Sequence, residues 1–322
     1  MTLLQRLFRQ CSVKRWRLLP LAALILVQAG HAEWAYQTVE GSGGVPLNVV
    51  TAGDSGSPAI LFIHGIGQSH YSFVRQLDSD LSDDFFLLSF DLRGHGASGK
   101  PWSEEAYAGS QVWAEDVAAV IAATGAARPT LVAWSYGTVV AMDYVREFGI
   151  GGINGVVLTG SLGALRPFKM PVSDDPNAAE FARIRKLQVS PRLIDNIRAN
   201  RGMVKWLTAT PMSAHDRQIF EAISLMFPGY ARRPMVKRRI DNQDLLAQLR
   251  LPVLLSLGDK DNPMQLVDGV DMAESHANIT VSVFAGAGHS VFFEQPQRFN
   301  AELRQFAQRA GSLPAPPRFP VP

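Results

Sequence analysis

A chain of 322 residues, 47% hydrophobic and 19% charged, can bury a large core, and its composition excludes the collagenous, disulfide-dense and disordered classes. Its 31 basic and 29 acidic residues leave a formal net charge of +2, which excludes a polybasic footprint for nucleic acid. The single cysteine, Cys11, excludes an internal disulfide.

The first 32 residues differ from the rest. Arg6, Arg9, Lys14, Arg15 and Arg17 precede an apolar run of ten residues over 18–27, then Ala29, Gly30, His31 and Ala32. A basic start, a short apolar stretch and small residues before a cut site predict a signal peptide over 1–32, cleaved after Ala32 or after Ala29. A bilayer span needs about 20 apolar residues, more than this run supplies. Export to the periplasm or beyond is the expectation; left uncleaved, the segment would anchor the chain to a membrane. Without its five basic residues the chain carries 26 basic against 29 acidic groups, a formal charge of −3.

From residue 33 onward, short β-rich apolar runs alternate with helical patterns, the signature of an α/β fold with a mostly parallel, doubly wound sheet. Residues 36–40 and 47–51, joined by a Gly/Pro-rich turn, predict an opening hairpin. Strands follow at 59–63 and 85–90. Helical spacing of Val117, Val120 and Ile121 predicts a helix over 113–124, capped by Gly125. A strand at 130–134 leads into a helix over 136–148 closed by Gly149, and then a strand at 156–159.

The alternation breaks between 161 and 249. No buried strand is legible there, only amphipathic pieces jointed at Pro167, Pro171, Pro191, Pro211, Pro228 and Pro234. This segment is expected to be an inserted helical cap, with the Arg232-Arg233 and Lys237-Arg238-Arg239 clusters solvated. The core, spanning 33–160, resumes over 250–312 with strands at 253–257 and 279–284 and helices at 264–276 and 295–310. A proline-rich tail occupies 313–322.

Chemistry concentrates at the strand ends. Ala133-Trp134-Ser135-Tyr136-Gly137 joins a strand to a helix, the context of a tight elbow that lifts a serine hydroxyl above the sheet. The helix start behind Ser135 aims free N–H groups and a positive dipole end at a developing oxyanion. His64-Gly65-Ile66-Gly67 follows an earlier strand, so the Ile66 N–H is a candidate partner to that of Tyr136 in an oxyanion hole. Gly286-Ala287-Gly288-His289 follows the last strand and can swing a neutral imidazole over the serine as general base. Leu257-Gly258-Asp259-Lys260-Asp261 offers two carboxylates to orient that imidazole; Asp261 is preferred, with Asp259 bracing the loop. His64 reads as a loop-bracing residue.

Together these segments resemble the α/β-hydrolase superfamily over residues 35–310 apart from the cap. Gln68-Ser69-His70 and Asp91-Leu92-Arg93-Gly94-His95-Gly96-Ala97-Ser98 resemble its bacterial esterase and non-haem chloroperoxidase-like branch. The resemblance implies a catalytic order Ser135, Asp261, His289, and makes the turn from Asp91 to Ser98 a structural corner. A small ester-like substrate is expected, cleaved through an acyl-enzyme on Ser135. Perhydrolase, peptidase or carbon–carbon hydrolase activity would use the same three groups, and a ligand-binding homologue would use the pocket alone. Trp134, Tyr136, Phe292 and Phe293 either wall an apolar substrate pocket or pack the core. No Cys/His cluster has zinc spacing and no glycine-rich phosphate loop follows the first strands, so neither metal nor cofactor is expected.

Overall fold

The computed structural model describes residues 33–168 and 176–314. Residues 1–32, where a signal peptide is expected, and most of the proline-rich tail lie outside the described residues. Eight strands form one sheet: β1 (Ala35–Glu40), β2 (Pro46–Ala52), β3 (Ala59–Ile63), β4 (Phe86–Phe90), β5 (Thr130–Trp134), β6 (Gly155–Thr159), β7 (Val253–Gly258) and β8 (Ile279–Phe284). Their order is β1-β2-β4-β3-β5-β6-β7-β8. Only β1–β2 and β2–β4 pair antiparallel; the remaining pairs are parallel.

Every residue of β3, β5, β6 and β7 is buried. That follows from their sequences, which are apolar runs broken only by glycine and the small hydroxyl residues Thr130, Thr159 and Ser256, able to face helices on both sides. Alternation along each strand divides the core in two. Leu61, Ile63, Leu131, Ala133, Val156 and Leu158 point to one face, with Val117 and Val120 of α3 (Gln111–Thr124) and Val140 of α4 (Tyr136–Phe148). Ile60, Phe62, Val132 and Val157 point to the other, against Leu77 of α1 (Val74–Leu77), Leu81 of α2 (Leu81–Asp84) and Phe299, Leu303 and Phe306 of α11 (Pro296–Ser312). Helix α3 ends as expected at Gly125, at φ 69°.

Between β6 and β7 the described residues contain no strand, only α5 (Pro176–Gln188), α6 (Leu193–Val204), α7 (Ala214–Leu225), α8 (Gly229–Lys237) and a single 3-10 turn. Two expectations for this segment fail. Pro234 is not a joint: it lies inside α8, which burial of Ala231, Pro234 and Met235 holds helical. The basic clusters are not wholly solvated either. Arg232 is 1% exposed, over the Phe227 ring, and the Arg238 side chain, 7% exposed, pairs with Asp143. Their partners come from distant parts of the chain, which a local charge pattern does not reveal. The last elements are α9 (Pro263–Ser275), with Asn262 as N-cap and Pro263 in its first turn, and the short α10 (Val291–Glu294).

Candidate active site

The four segments singled out above all emerge at the carboxyl ends of parallel strands, where α/β sheets form their ligand crevices. Ser135 follows β5 with φ 55° and ψ −118°, a left-handed backbone that a non-glycine residue adopts only under constraint. The constraint is visible. Ser135 N–H donates to Thr159 O at 2.9 Å, and a Cβ on Gly137 would fall 2.2 Å from Ile63 O and 2.7 Å from His64 O. Only glycine lets α4 start this close to the end of β3. Ala133, where the family pattern has glycine, is fully buried, so its methyl group is absorbed by the core.

Gly65 closes the other side, since a Cβ there would lie 2.9 Å from Ser135 Cβ. This packing brings Ile66 beside the serine. Among the described residues the N–H groups of Ile66 and Tyr136 are not engaged in a hydrogen bond, as expected for a glycine-loop amide and the first turn of a helix. His64 is a brace: Nε2 accepts from Leu92 N at 2.9 Å and Nδ1 donates to Gly65 O at 2.8 Å. Burial pushes its pKa down to about 4, so it is neutral. Asp91 likewise serves the corner, accepting from His70 N, His70 Nδ1, Asn48 Nδ2 and Ala97 N.

The imidazole of His289 donates from Nδ1 to Asp261 Oδ2 at 2.8 Å; the two side chains are 22% and 21% exposed. Asp259 instead accepts from Gly286 N at 2.7 Å. Gly258 makes the crossing of these loops possible, because a Cβ there would sit 2.2 Å from Gly288 O. Desolvation alone would lower the His289 pKa, but the charge and hydrogen bond of Asp261, with Glu294 behind, hold it above the ordinary histidine value. The ring packs on Gly160, next to the Thr159 carbonyl that takes the Ser135 N–H. The Ser135 hydroxyl has no hydrogen bond among the described residues, and contacts of this kind commonly tighten only when substrate binds.

Of the two alternatives for Trp134 and Phe292, their burial favours core packing: they are 1% and 0% exposed and sit in the hydrophobic core cluster beneath the site. Trp134 Nε1 donates to His289 O at 2.8 Å, and Phe292 packs between Phe73 and Trp134. Two supporting groups escaped sequence reasoning. Glu294 accepts from Gly288 N at 2.7 Å and from Ala209 N and Thr210 N, tying the His289 loop to the segment between α6 and α7. Arg238 donates to Tyr136 Oη at 2.8 Å and to both oxygens of Asp143 at 2.9 and 3.0 Å. No group of three or more potential metal ligands occurs among the described residues.

Residues 60–302 match the alpha/beta hydrolase family, and the chain belongs to it. It is a hydrolase of that type. Among its relatives is the AB hydrolase superfamily protein YisY of Bacillus subtilis, 25% identical over 77% of this chain and 91% of that protein. Another is 3-oxoadipate enol-lactonase 2 of Acinetobacter baylyi, 25% identical over 82% and 94%. Among solved structures, esterase RhEst1 from Rhodococcus sp. ECU1013 superimposes with a TM-score of 0.75 at 29% identity, covering 86% of this chain and 99% of that one.

Proposed function

We propose that the protein is a serine hydrolase that cleaves a carboxylic ester through an acyl-enzyme on Ser135. The observation that carries this reading is the strained Ser135 elbow set beside a histidine already paired to a carboxylate. His289 removes the Ser135 proton as the oxygen attacks the ester carbonyl, and the N–H groups of Ile66 and Tyr136 hold the oxyanion. Asp261 fixes the imidazole tautomer and stabilises the imidazolium, which protonates the leaving alcohol. Water, activated by the same histidine, then releases the acid. The resemblance to an esterase structure and to an enol-lactonase supports ester chemistry, with cyclic esters inside the class.

Hydrolysis of p-nitrophenyl esters by the purified chain and by Ser135→Ala tests this. Turnover that disappears in the variant, with fluorophosphonate labelling of Ser135 in the wild type, is the expected result. Turnover retained in Ser135→Ala would refute it. We also propose that residues 1–32 direct export, since their composition is that of a signal peptide. No helix of the described residues is long and apolar enough to cross a membrane. N-terminal sequencing of the protein recovered outside the cytoplasm checks this, and a start at Met1 would contradict cleavage.

A further inference from the structure

Helix α8 carries a cation with no acidic partner among the described residues. Arg232 is 1% exposed, and its guanidinium lies over the Phe227 ring at 4.6 Å while His95 stacks on that ring at 3.7 Å. Nη1 donates to Gln188 O at 3.2 Å. Nε and Nη2 have no partner among the described residues. Burial, reinforced by the like charge of Arg185, brings the group down to about 10, so it is still a cation at neutral pH. A buried charge without a counter-charge is strongly destabilising, and proteins keep one where something else pairs with it.

The chain itself shows what those two nitrogens can hold. Arg93 is equally buried, and its Nε and Nη2 grip the two oxygens of Asp116 at 2.7 Å each. That is the side-on, two-pronged pairing of guanidinium with carboxylate. Arg232 keeps the same two nitrogens without a partner, both enclosed by the fold.

Its position names the ligand. Arg232 Nη2 lies 3.5 Å from where a Cβ on Gly67 would sit, and Gly67 follows Ile66 in the loop whose Gly65 packs on Ser135. Two Cα steps, about 7 Å, separate the residue touching the serine from the one beside the guanidinium. Sheet order puts this loop, after β3, on one side of β5 and His289, after β8, on the other. A leaving group protonated by His289 departs toward β8, so the acyl part extends toward Gly67. We propose that Arg232 binds a carboxylate on the acyl part of the substrate, making the preferred substrate a monoester of a short dicarboxylic acid. This rests on the reading of Ser135 as the acylated nucleophile.

The test compares mono-p-nitrophenyl glutarate with neutral p-nitrophenyl butyrate on the full chain, Arg232→Met and Arg232→Lys. The wild type should favour the anionic ester by about tenfold or more in kcat/KM, as a charge-assisted pair supplies. Arg232→Met should lose that preference, chiefly through KM, and Arg232→Lys should retain part of it. Equal losses on both esters, or no preference in the wild type, would overturn the proposal. A second readout does not depend on turnover: sodium glutarate, but not neutral glutaramide at matched ionic strength, should raise the unfolding midpoint of the wild type and leave Arg232→Met unmoved. If neither ester is cleaved and Ser135 resists fluorophosphonate, the hydrolase reading fails, and the glutarate shift alone decides Arg232. No shift in the wild type overturns the carboxylate site.

Discussion

Arg238→Met is a measurable test of how the inserted helices are fastened to the sheet. The guanidinium reaches Asp143 on α4 and the Tyr136 hydroxyl, and both charged side chains are less than one-tenth exposed. Burial lifts the Asp143 carboxyl and Arg238 pulls it back, the balance leaving it at about 6. Without Arg238 only the charge of Arg146 still favours the ionised form, opposed by burial and by Glu147, and the carboxyl stays protonated through the neutral range. Asp143 in the folded wild type therefore ionises as pH rises past about 6, whereas in the variant it does not. The cost of the substitution should be small and flat below about pH 5, about 1.4 kcal/mol larger at pH 7 and nearly 3 kcal/mol larger at pH 8, from about 1.36 kcal/mol per pH unit. Methionine keeps most of the side-chain volume, so the flat part reports packing and the Tyr136 hydrogen bond, on the order of 1 kcal/mol. Urea unfolding of both proteins at pH 5, 6, 7 and 8 measures the difference. A difference that does not change between pH 5 and pH 8 would refute the coupling between Arg238 and Asp143.

Three further outcomes follow from the site. Asp261→Asn should lower kcat about 10³- to 10⁴-fold, because the imidazole loses the partner that sets its tautomer; Asp259→Asn should change kcat far less, and steady-state kinetics of the pair would reverse the assignment if the larger loss fell on Asp259. The acid limb of kcat/KM should lie above the ordinary histidine value: His289 must be neutral to act as base, its pKa is raised, and activity falls as pH drops through that raised value. A pH–rate profile with its acid limb below about 6.5 would contradict this. Gly65→Ala should cut kcat by at least about tenfold while leaving the fold intact by circular dichroism, since the new methyl meets Ser135 Cβ at 2.9 Å; an unaffected kcat would mean the loop can move away freely.

The sheet was legible because parallel strands buried on both faces must be largely apolar, and the runs at 59–63, 130–134 and 253–257 are, with Thr130 and Ser256 their only polar residues. The serine elbow was legible because Gly137 has no alternative that fits. What stayed hidden depends on long-range pairing. Arg232 and Arg238 look like a solvated stripe until Phe227, Gly67 and Asp143 are brought against them. Apolar periodicity does not separate a pocket wall from a core residue, so Trp134 and Phe292 were ambiguous until their burial was known. Asp259 and Asp261 both follow Gly258, and only the path of the loop assigns Gly286 to one and His289 to the other.

The order of the parts along the chain bears on how such a molecule comes into being. Ser135 and the glycine loop that packs on it precede the inserted helices, whereas Asp261 and His289 follow them in the loops after β7 and β8. On the proposed reading, synthesis therefore delivers the nucleophile well before its base. Helix α11, which seals one face of β5 and β6, arrives later still. Bringing His289 to Ser135 closes a loop of about 150 residues, a contact whose entropic cost is met only after the intervening strands have paired. Until that last stretch is in place Ser135 has no histidine beside it, and on the proposed reading the nascent chain carries no working hydrolase.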